Sequence, residues 1–185
     1  MAGAAGFTVV GAATVAATSF LRLERLHLSA PDGTAVRRDV VRHPGAVAVV
    51  AVTGVGADGA VALLRQYRAP VDAEILEIPA GKLDIDGEDP EDAVRRELAE
   101  EAGLVPGSLR LLADFYSAPG FTDERMRLYL ATGCTPTERV PHGAEEEAAE
   151  LVMVPIGDLP AMISTGVVGD AKSLVGLLLL LAEQQ

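Results

Sequence analysis

Hydrophobic and polar positions along the chain predict a mixed fold of strands and helices. Apolar or alternating runs bounded by turn residues predict strands over residues 7–15, 20–29, 37–42, 46–53, 61–67, 109–116, 127–132 and 150–154. Residues 46–53 form a continuous Val/Ala run, which is typical of a strand covered on both faces, and 61–67 should pair with them as a hairpin. Helices are predicted over 90–102, 156–164 and 171–183. Helices with strands on both sides of them in the sequence indicate a layered α/β architecture.

The helix over residues 90–102 has recognisable signals at both ends. Asp89 is a good N-cap, Pro90 suits the first helical position, and Gly103 suits the left-handed residue after the last turn. Val94 and Leu98 lie four residues apart and should pack against a core. One face of this helix is therefore expected to be buried.

A neighbouring face of the same helix carries Glu97, Glu100 and Glu101. Carboxylates three or four residues apart on a helix repel one another by about 0.2–0.5 kcal/mol per close pair. An array of carboxylate oxygens suits a hard divalent cation such as Mg²⁺, which commonly binds one or two protein carboxylates plus substrate phosphates. The alternative is a solvated acidic helix in which Arg95 and Arg96 are ordinary ion-pair partners.

Composition narrows the classes of function. A chain of 185 residues with net charge −12 can bury a core, but it lacks the clustered Lys and Arg of a nucleic-acid-binding face. The same charge would repel an anionic substrate, and bound cations would offset that repulsion locally. No Lys or Arg precedes Arg22, the apolar run 174–182 is too short to span a bilayer, and Cys134 has no partner for an internal disulfide. We therefore expect a cytoplasmic protein that binds neither nucleic acid nor membrane.

The segment 81–104 resembles the Nudix box of the Nudix hydrolases. That pattern is Gly, five residues, Glu, seven residues, then Arg-Glu-aliphatic-any-Glu-Glu-any-Gly-aliphatic. The match is complete from Glu88 to Leu104, with Arg96 and Glu97 opening the final block. Six residues rather than five separate Gly81 from Glu88. The extra residue leaves the conformation of this loop open.

Further segments resemble the ADP-ribose pyrophosphatase branch of the family. They are Arg65-Gln66-Tyr67-Arg68, Leu76-Glu77-Ile78-Pro79-Ala80-Gly81, and Pro119, which lies 16 residues beyond Gly103. The residue pair Pro119-Gly120 is also explained by a plain turn between strands. The resemblance implies metal-dependent hydrolysis of ADP-ribose to AMP and ribose 5-phosphate. Its alternatives are a Nudix hydrolase of another nucleoside diphosphate sugar or a dinucleotide, and a non-catalytic nucleotide-binding Nudix-like module.

The resemblance also implies roles for individual residues. Metal ligands, for Mg²⁺ or Mn²⁺, would be Glu97, Glu100, Glu101 and the backbone carbonyl of Ala80. Catalytic residues would be Glu100 and a general base in the loop before the strand 151–154, for which Glu145 fits best and Glu147 is next. Substrate contacts would come from Arg68, Glu77 and Pro119. Structural support of the box would come from Gly81, Glu88, Arg96 and Gly103, with Arg96 paired to Glu88.

The implied fold is a Nudix-like α/β/α sandwich with a mixed sheet, preceded by a small antiparallel N-terminal β subdomain. Residues 1–44 would form this subdomain, for dimerisation and substrate contacts, and residues 45–185 the hydrolase domain. The resemblance further implies a homodimer whose N-terminal strands reach the other subunit. Its partner molecule would be a small nucleoside diphosphate substrate.

Overall fold

The structure is a computed structural model that describes residues 4–54 and 59–183. The chain divides into two units: one runs up to Gly45 and includes residues 116–125, and the other comprises residues 46–115 and 126–185. Residues 116–125, which connect two strands of the second unit, thus group with the N-terminal segment. The division into a dimerisation subdomain, 1–44, and a hydrolase domain, 45–185, stays a prediction about their roles.

The first unit contains a three-stranded antiparallel sheet in the order β1-β2-β3. Its strands are β1 (Thr8–Ala17), β2 (Arg22–Ser29) and β3 (Ala35–Arg42). The turn between β2 and β3 contains Asp32, whose carboxylate accepts a hydrogen bond from the Thr34 N–H at 2.9 Å, and Gly33 at φ = 83°. A local Asp side-chain bond and a left-handed glycine favour this tight reversal. The predicted N-terminal antiparallel sheet is confirmed.

The second unit is built on a seven-stranded mixed sheet. Its main path runs β12-β5-β4-β10-β9, with β6 paired to β5 and β7 paired to β4. These strands are β4 (Ala46–Thr53), β5 (Ala60–Arg68), β6 (Ala73–Glu77), β7 (Ala80–Lys82), β9 (Ser108–Tyr116), β10 (Arg125–Thr132) and β12 (Glu150–Pro155). Strands β4 and β10 are parallel, whereas β4 and β5 are antiparallel, as the hairpin prediction requires. Residues 55–58 of the predicted turn lie outside the described residues.

Helices cover both faces of this sheet. Helix α1 (Pro90–Ala102) packs on one face and the last helix, Ala171–Ala182, on the other. Successive side chains of β4 alternate between the faces, so Val50 lies in the cluster that contains Leu177 of the last helix, and Val49 lies with Leu98 of α1. The predicted α/β/α sandwich is confirmed.

The remaining elements are short. They are β8 (Leu104–Val105), β11 (Thr135–Pro136), α2 (Ala144–Ala148) and α3 (Leu159–Ser164), and the C-terminal helix is α4. The predicted helix 156–164 begins as a 3-10 turn, Ile156–Asp158, before α3. Strands β6 and β7 were not predicted, and α2 replaces the predicted loop that carries the glutamates 145–147. Among the described residues no helix combines the length and apolarity that crossing a bilayer requires.

Candidate active site

Helix α1 begins and ends where the sequence predicts. The Asp89 carboxylate accepts a hydrogen bond from the N–H of Glu91 at 2.9 Å, and Pro90 lies in the first turn. At the other end Gly103 adopts φ = 61°, and its N–H donates to the carbonyl of Ala99 at 3.0 Å. Both ends therefore satisfy backbone groups that a helix would otherwise leave unpaired. The orientation of the acidic face is fixed by these caps and by the buried apolar face.

Arg96 lies at the centre of the charges on α1. Its Nε and Nη2 donate to the two carboxylate oxygens of Glu88 at 2.9 and 3.0 Å, and Nη1 donates to Glu97 at 2.8 Å and Glu100 at 3.2 Å. The bidentate pair with Glu88, which the resemblance implied, is present. This guanidinium holds the pKa of Glu88 below its usual value, chiefly through the hydrogen bonds. Arg96 thus compensates three carboxylates that would otherwise repel one another.

The loop between Gly81 and Glu88 accommodates its extra residue in a turn. The N–H of Glu88 donates to the carbonyl of Ile85 at 3.2 Å, and Gly87 adopts φ = 77°, which glycine tolerates best. The turn leaves Glu88 in register with Arg96. The departure from the usual box spacing therefore does not disturb the ion pair that fastens the loop to the helix.

Glu101 is the most buried of the three α1 carboxylates, with 6% of its surface exposed. Its Oε2 accepts a hydrogen bond from the Ala80 N–H of β7 at 3.0 Å. Burial raises the pKa of Glu101 to about 8, with the neighbouring Glu97 carboxylate as the next largest cause. Burial also raises the pKa of Glu97. Two carboxylates held close together away from water favour a positive ligand.

Gly81 makes room for Glu97. A Cβ atom at position 81 would lie 1.9 Å from Cδ of Glu97 and 2.0 Å from its Oε1. Any other residue at this position would therefore occupy the place of the carboxylate. The requirement for glycine arises here from close approach, since Gly81 is not among the positive-φ residues.

The second acidic run lies on the short helix α2, which corrects the predicted loop. The cause is a tertiary contact: the guanidinium of Arg139 donates to the carbonyl of Glu146 at 2.6 Å and to that of Ala149 at 2.9 Å. A cation that bonds the terminal carbonyls stabilises the C-terminal end of a helix. Arg139 therefore fixes a segment whose local sequence indicated solvated surface.

The residue of α2 that is linked to the α1 carboxylates, through His142, is Glu146, which the sequence prediction passed over. The N–H of His142 donates to Oε2 of Glu146 at 2.6 Å, and the His142 ring Nε2 lies 3.3 Å from Oε1 of Glu100. Burial dominates the raised pKa values of Glu97 and Glu101, and the Glu146 carboxylate adds to both. The charge of Glu146 therefore acts on Glu97 and Glu101, and His142 connects Glu146 with Glu100.

Glu145, the predicted base, interacts elsewhere. The pKa of Tyr67 is raised chiefly by a hydrogen bond to Asp72, and the Glu145 carboxylate adds to that rise. Glu145 is not among the leading causes of the raised pKa of Glu97 or Glu101, whereas Glu146 is among them for both. Its assignment as base stays a prediction, and the structure makes Glu146 its strongest competitor.

The predicted substrate residues Arg68 and Glu77 contact each other. Arg68 donates through Nε to Oε1 of Glu77 at 2.7 Å and through Nη2 to Oε2 at 2.9 Å. Glu77 is 1% exposed, and its Oε2 also accepts a close hydrogen bond from Lys172 of α4. Sequence reasoning missed Lys172, because its partner lies 95 positions away in the chain.

Pro119 belongs to the first unit. The carbonyl of Ala118 accepts hydrogen bonds from the N–H groups of Phe121 and Thr122, both at 3.1 Å, so Pro119 and Gly120 lie in a tight turn. This turn lines a cavity of about 370 Å³ against strands β2 and β3. The turn that the sequence offered as an alternative explanation of this residue pair is therefore present, and a substrate contact by Pro119 stays a prediction.

A family model described as the NUDIX domain matches residues 42–174. The chain belongs to the Nudix family. The ADP-ribose pyrophosphatase of Bacillus subtilis is 40% identical over 143 residues, which cover 77% of this chain and 75% of that one. The methanol dehydrogenase activator of Bacillus methanolicus is 37% identical over 147 residues, 80% of this chain and 77% of that one.

The fold of this Nudix protein also matches a solved structure. The crystal structure of an ADP compounds hydrolase superposes with a TM-score of 0.81 at 23% identity, covering 96% of this chain and 93% of the other. At that identity the likeness concerns the fold. It confirms the predicted Nudix fold, and the family match together with the Bacillus subtilis relative confirms the predicted class of Nudix pyrophosphohydrolase.

Nudix hydrolases use divalent metal ions, and the Nudix box of this chain fits one. Its donors are carboxylate oxygens, Gly81 leaves space beside Glu97, and Glu101 is a buried carboxylate that no side-chain cation of the described residues contacts. Within residues 4–54 and 59–183, no group of three or more Asp, Glu, His or Cys side chains is arranged so that it could hold a metal ion. Glu97 and Glu100 bond Arg96 instead, so a cation would take the place of Arg96 at these two carboxylates.

Proposed function

We propose that the protein hydrolyses the pyrophosphate bond of ADP-ribose, giving AMP and ribose 5-phosphate, with Mg²⁺ or Mn²⁺ as cofactor. The observation that supports the reaction type is the approach of two α1 carboxylates, Glu97 and Glu101, to Gly81 and Ala80 of β7. The substrate is supported by the 40% identical Bacillus subtilis enzyme, named for ADP-ribose. The Arg65–Arg68 and Leu76–Gly81 segments, which resemble that branch, support it as well.

The residues that would hold the cation are Glu97, Glu100, Glu101 and the carbonyl of Ala80. A divalent cation supplies positive charge against the pyrophosphate oxygens and acidifies a water molecule. Arg96 and Glu88 support the site structurally, since their bidentate pair holds the loop 81–88 against α1. Arg96 therefore has a structural task and needs no substrate contact.

Arg68 is the proposed phosphate-binding residue. Its side chain is 39% exposed, and among the described residues its hydrogen bonds to Glu77 use Nε and Nη2, so Nη1 remains for a ligand. Its charge also acts at the α1 carboxylates, because it opposes the burial-driven rise in the pKa of Glu101. A guanidinium fixed on one edge by a carboxylate is well suited to bind a phosphate oxygen with the other. The predicted nucleoside contact of Glu77 is the less supported assignment, since both of its oxygens are already hydrogen-bonded.

A carboxylate of α2 would take the proton from the attacking water. General bases must come within hydrogen-bond reach of that water, and α2 is held over the α1 carboxylates through His142 and Glu100. Glu145 was the base predicted from the sequence. The electrostatic link of Glu146 to Glu97 and Glu101 supports Glu146 in this role.

Product analysis tests the reaction and its substrate. The purified protein is incubated with ADP-ribose, ADP-glucose, GDP-mannose, NADH and diadenosine compounds, each with Mg²⁺, with Mn²⁺ and with EDTA. We expect cation-dependent release of AMP from ADP-ribose ahead of the other substrates. Preference for another compound would refute the substrate and retain the reaction type. Cleavage of none would favour a nucleotide-binding module.

A matched pair of variants tests the site. Glu97→Gln removes a proposed ligand, whereas Glu91→Gln removes an exposed glutamate from the first turn of the same helix. We expect Glu97→Gln to fold and to lose about 10²-fold or more in kcat, and Glu91→Gln to behave as wild type. Equal activity of the two variants would contradict the assignment of Glu97.

We also propose that the protein is a cytoplasmic homodimer that pairs through its N-terminal unit. Strand β1 is the end strand of its sheet, carries no charged residue over ten positions, and exposes Val9, Val10 and Val15 by 51–66%. A long, uncharged, apolar end strand favours association. Sedimentation equilibrium should give a dimer for wild type and a monomer for Val10→Lys. A monomeric wild type would refute this proposal.

A further inference from the structure

Glu77 is a fully buried carboxylate at the end of β6, and burying such a charge is costly unless it is paired and hydrogen-bonded. Its bidentate contact with Arg68 already provides one full positive charge and bonds both oxygens. A second cation nevertheless reaches the same carboxylate. Lys172, 12% exposed in the first turn of α4, contacts Oε2 of Glu77 and lies 3.0 Å from Oδ2 of Asp170. Asp170 is a second carboxylate in the same cluster, so Arg68 and Lys172 together balance the charges of Glu77 and Asp170.

Asp170 fixes Lys172 and the start of α4 together. Its carboxylate caps the helix by accepting from the N–H of Ser173 at 3.0 Å and from the Ser173 hydroxyl at 2.6 Å. The same hydroxyl oxygen accepts a hydrogen bond from the N–H of Ile78 at 2.8 Å. The start of α4 is thus tied by one hydrogen-bonded chain to residues 77 and 78.

That chain ends beside the proposed site. Two residues beyond Ile78 is Ala80, whose N–H bonds Glu101, and then comes Gly81, which gives Glu97 its space. Arg68, on the other side of Glu77, interacts electrostatically with Glu101. The α4 network and the proposed catalytic groups therefore share the segment 77–81.

We infer that Lys172 is a positioning residue that acts through Glu77 on Arg68, and this inference rests on the proposed function. Lys172 offsets part of the negative charge of Glu77 and Asp170, so Arg68 does not face the two carboxylates alone and its charge remains available to a substrate phosphate. Without Lys172 the cluster of Arg68, Glu77 and Asp170 has one negative charge in excess, which repels a phosphate and holds the guanidinium more tightly. Lys172 itself does not contact substrate. Lys172 determines how strongly Arg68 attracts the substrate phosphate.

Steady-state kinetics with ADP-ribose and Mg²⁺ test this role in four proteins: wild type, Lys172→Met, Glu77→Gln, and the double variant. Lys172→Met should raise KM about tenfold and leave kcat within about twofold, because a charged interaction with bound substrate is weakened and the reacting groups are untouched. In the Glu77→Gln background the same substitution should change KM less than about twofold, because the group through which Lys172 acts is already neutral. Lys172→Arg should restore the wild-type KM.

Arg110→Met is the matched control. Arg110 is an exposed cation that contacts the opposite end of α4, through Glu183 at 2.6 Å. Its loss should leave KM and kcat unchanged. The same KM increase in Arg110→Met as in Lys172→Met would indicate that any loosening of α4 has this effect, and would overturn the inference.

Two further results would also overturn it. An unchanged KM in Lys172→Met excludes any influence of the lysine on Arg68, and an equal KM increase in both backgrounds places Lys172 in direct contact with substrate. A wild type that cleaves no ADP-ribose refutes the proposed substrate instead, and the cycle is then repeated on the compound that it does cleave. If it cleaves none, the same four proteins are compared by thermal denaturation. A fall in Tm for Lys172→Met that persists undiminished with Gln at position 77 would refute the link through Glu77.

Discussion

Substituting Gly81 by Ala isolates the contribution of one carboxylate without altering its chemistry. The added Cβ would lie 1.9 Å from Cδ, 2.0 Å from Oε1 and 2.2 Å from Cγ of Glu97. The shortest ordinary contact for a Cβ atom is 3.4 Å. Glu97 must therefore move its carboxylate by about 1.5 Å, or the β7 backbone must shift by a similar distance.

The expected cost in activity follows from this displacement. Misplacing a reacting or positioning group by about 1 Å can lower a rate by about 10²-fold, which corresponds to about 2.7 kcal/mol of transition-state stabilisation. We therefore expect kcat/KM of Gly81→Ala to fall about 10²-fold or more. The effect on Tm should be small, since the Glu97 side chain is 12% exposed and can rotate toward water.

The assay measures kcat/KM with ADP-ribose and Mg²⁺, together with Tm, in Gly81→Ala and in two controls. Gly157→Ala is the matched glycine variant, because a Cβ there meets nothing within 4 Å and the residue needs no positive φ. In a Glu97→Ala background the substitution at position 81 should change activity less than about twofold, since the displaced group is absent.

Two outcomes would refute the reasoning. Wild-type activity in Gly81→Ala would show that the site tolerates a displaced Glu97. A large additional loss in the Glu97→Ala background would show that the glycine acts through backbone conformation rather than through the space it leaves. A binding experiment with Mg²⁺ alone, by calorimetry, provides a readout that does not depend on turnover and should show weakened cation binding in Gly81→Ala.

The remaining predictions concern charge and packing. Glu101→Gln should lose at least about 10²-fold in kcat yet raise Tm at neutral pH in EDTA, because burial raises the pKa of Glu101 to about 8 and wild type must take up a proton there to fold, whereas Gln needs none; a lower Tm would contradict this. Glu146→Gln should reduce kcat far more than Glu145→Gln, and the reverse order in a direct comparison would restore Glu145 as the base. Gly176→Ala should lower the unfolding free energy in urea by about 1–2 kcal/mol, because its Cβ would lie 2.6 Å from Cγ2 of Val50, while the folded protein keeps its activity.

The elements that the sequence predicts well are those whose hydrophobic pattern and capping residues lie within or beside the element itself. Strand β4 has the bounds that its continuous Val/Ala run indicated, and α1 is set by Asp89, Pro90 and Gly103. Strands β6 and β7 were missed because short segments with Glu, Gly and a nearby Pro become strands only by pairing with β5 and β4. The register of β6 and β7 is determined by the strands with which they pair, and their own residues do not specify it.

The same distinction applies to the candidate site, where the residues of one continuous segment could be predicted and those brought together by folding could not. The α1 glutamates and their ion pair with Arg96 could be predicted because helical spacing and the box pattern lie within one segment. Helix α2 could not, since a run of three glutamates is most often solvated surface, and the hydrogen bonds by which the nearby Arg139 caps the helix do not show in the sequence pattern. Lys172 gave no signal at all, because nothing in its neighbourhood in the chain indicates Glu77 as its partner.

Arg96 is shared between a structural carboxylate and two proposed metal ligands, and this sharing explains how an acidic protein can assemble an acidic site. Arg96 holds Glu88 with two nitrogens and reaches Glu97 and Glu100 with the third. Repulsion among the α1 carboxylates is therefore offset before any cation binds, and the helix can fold without one. When a divalent cation takes over these two carboxylates, Arg96 retains its bidentate pair with Glu88. The loop and the helix thus keep their relative position, so cation binding completes a site that is already built.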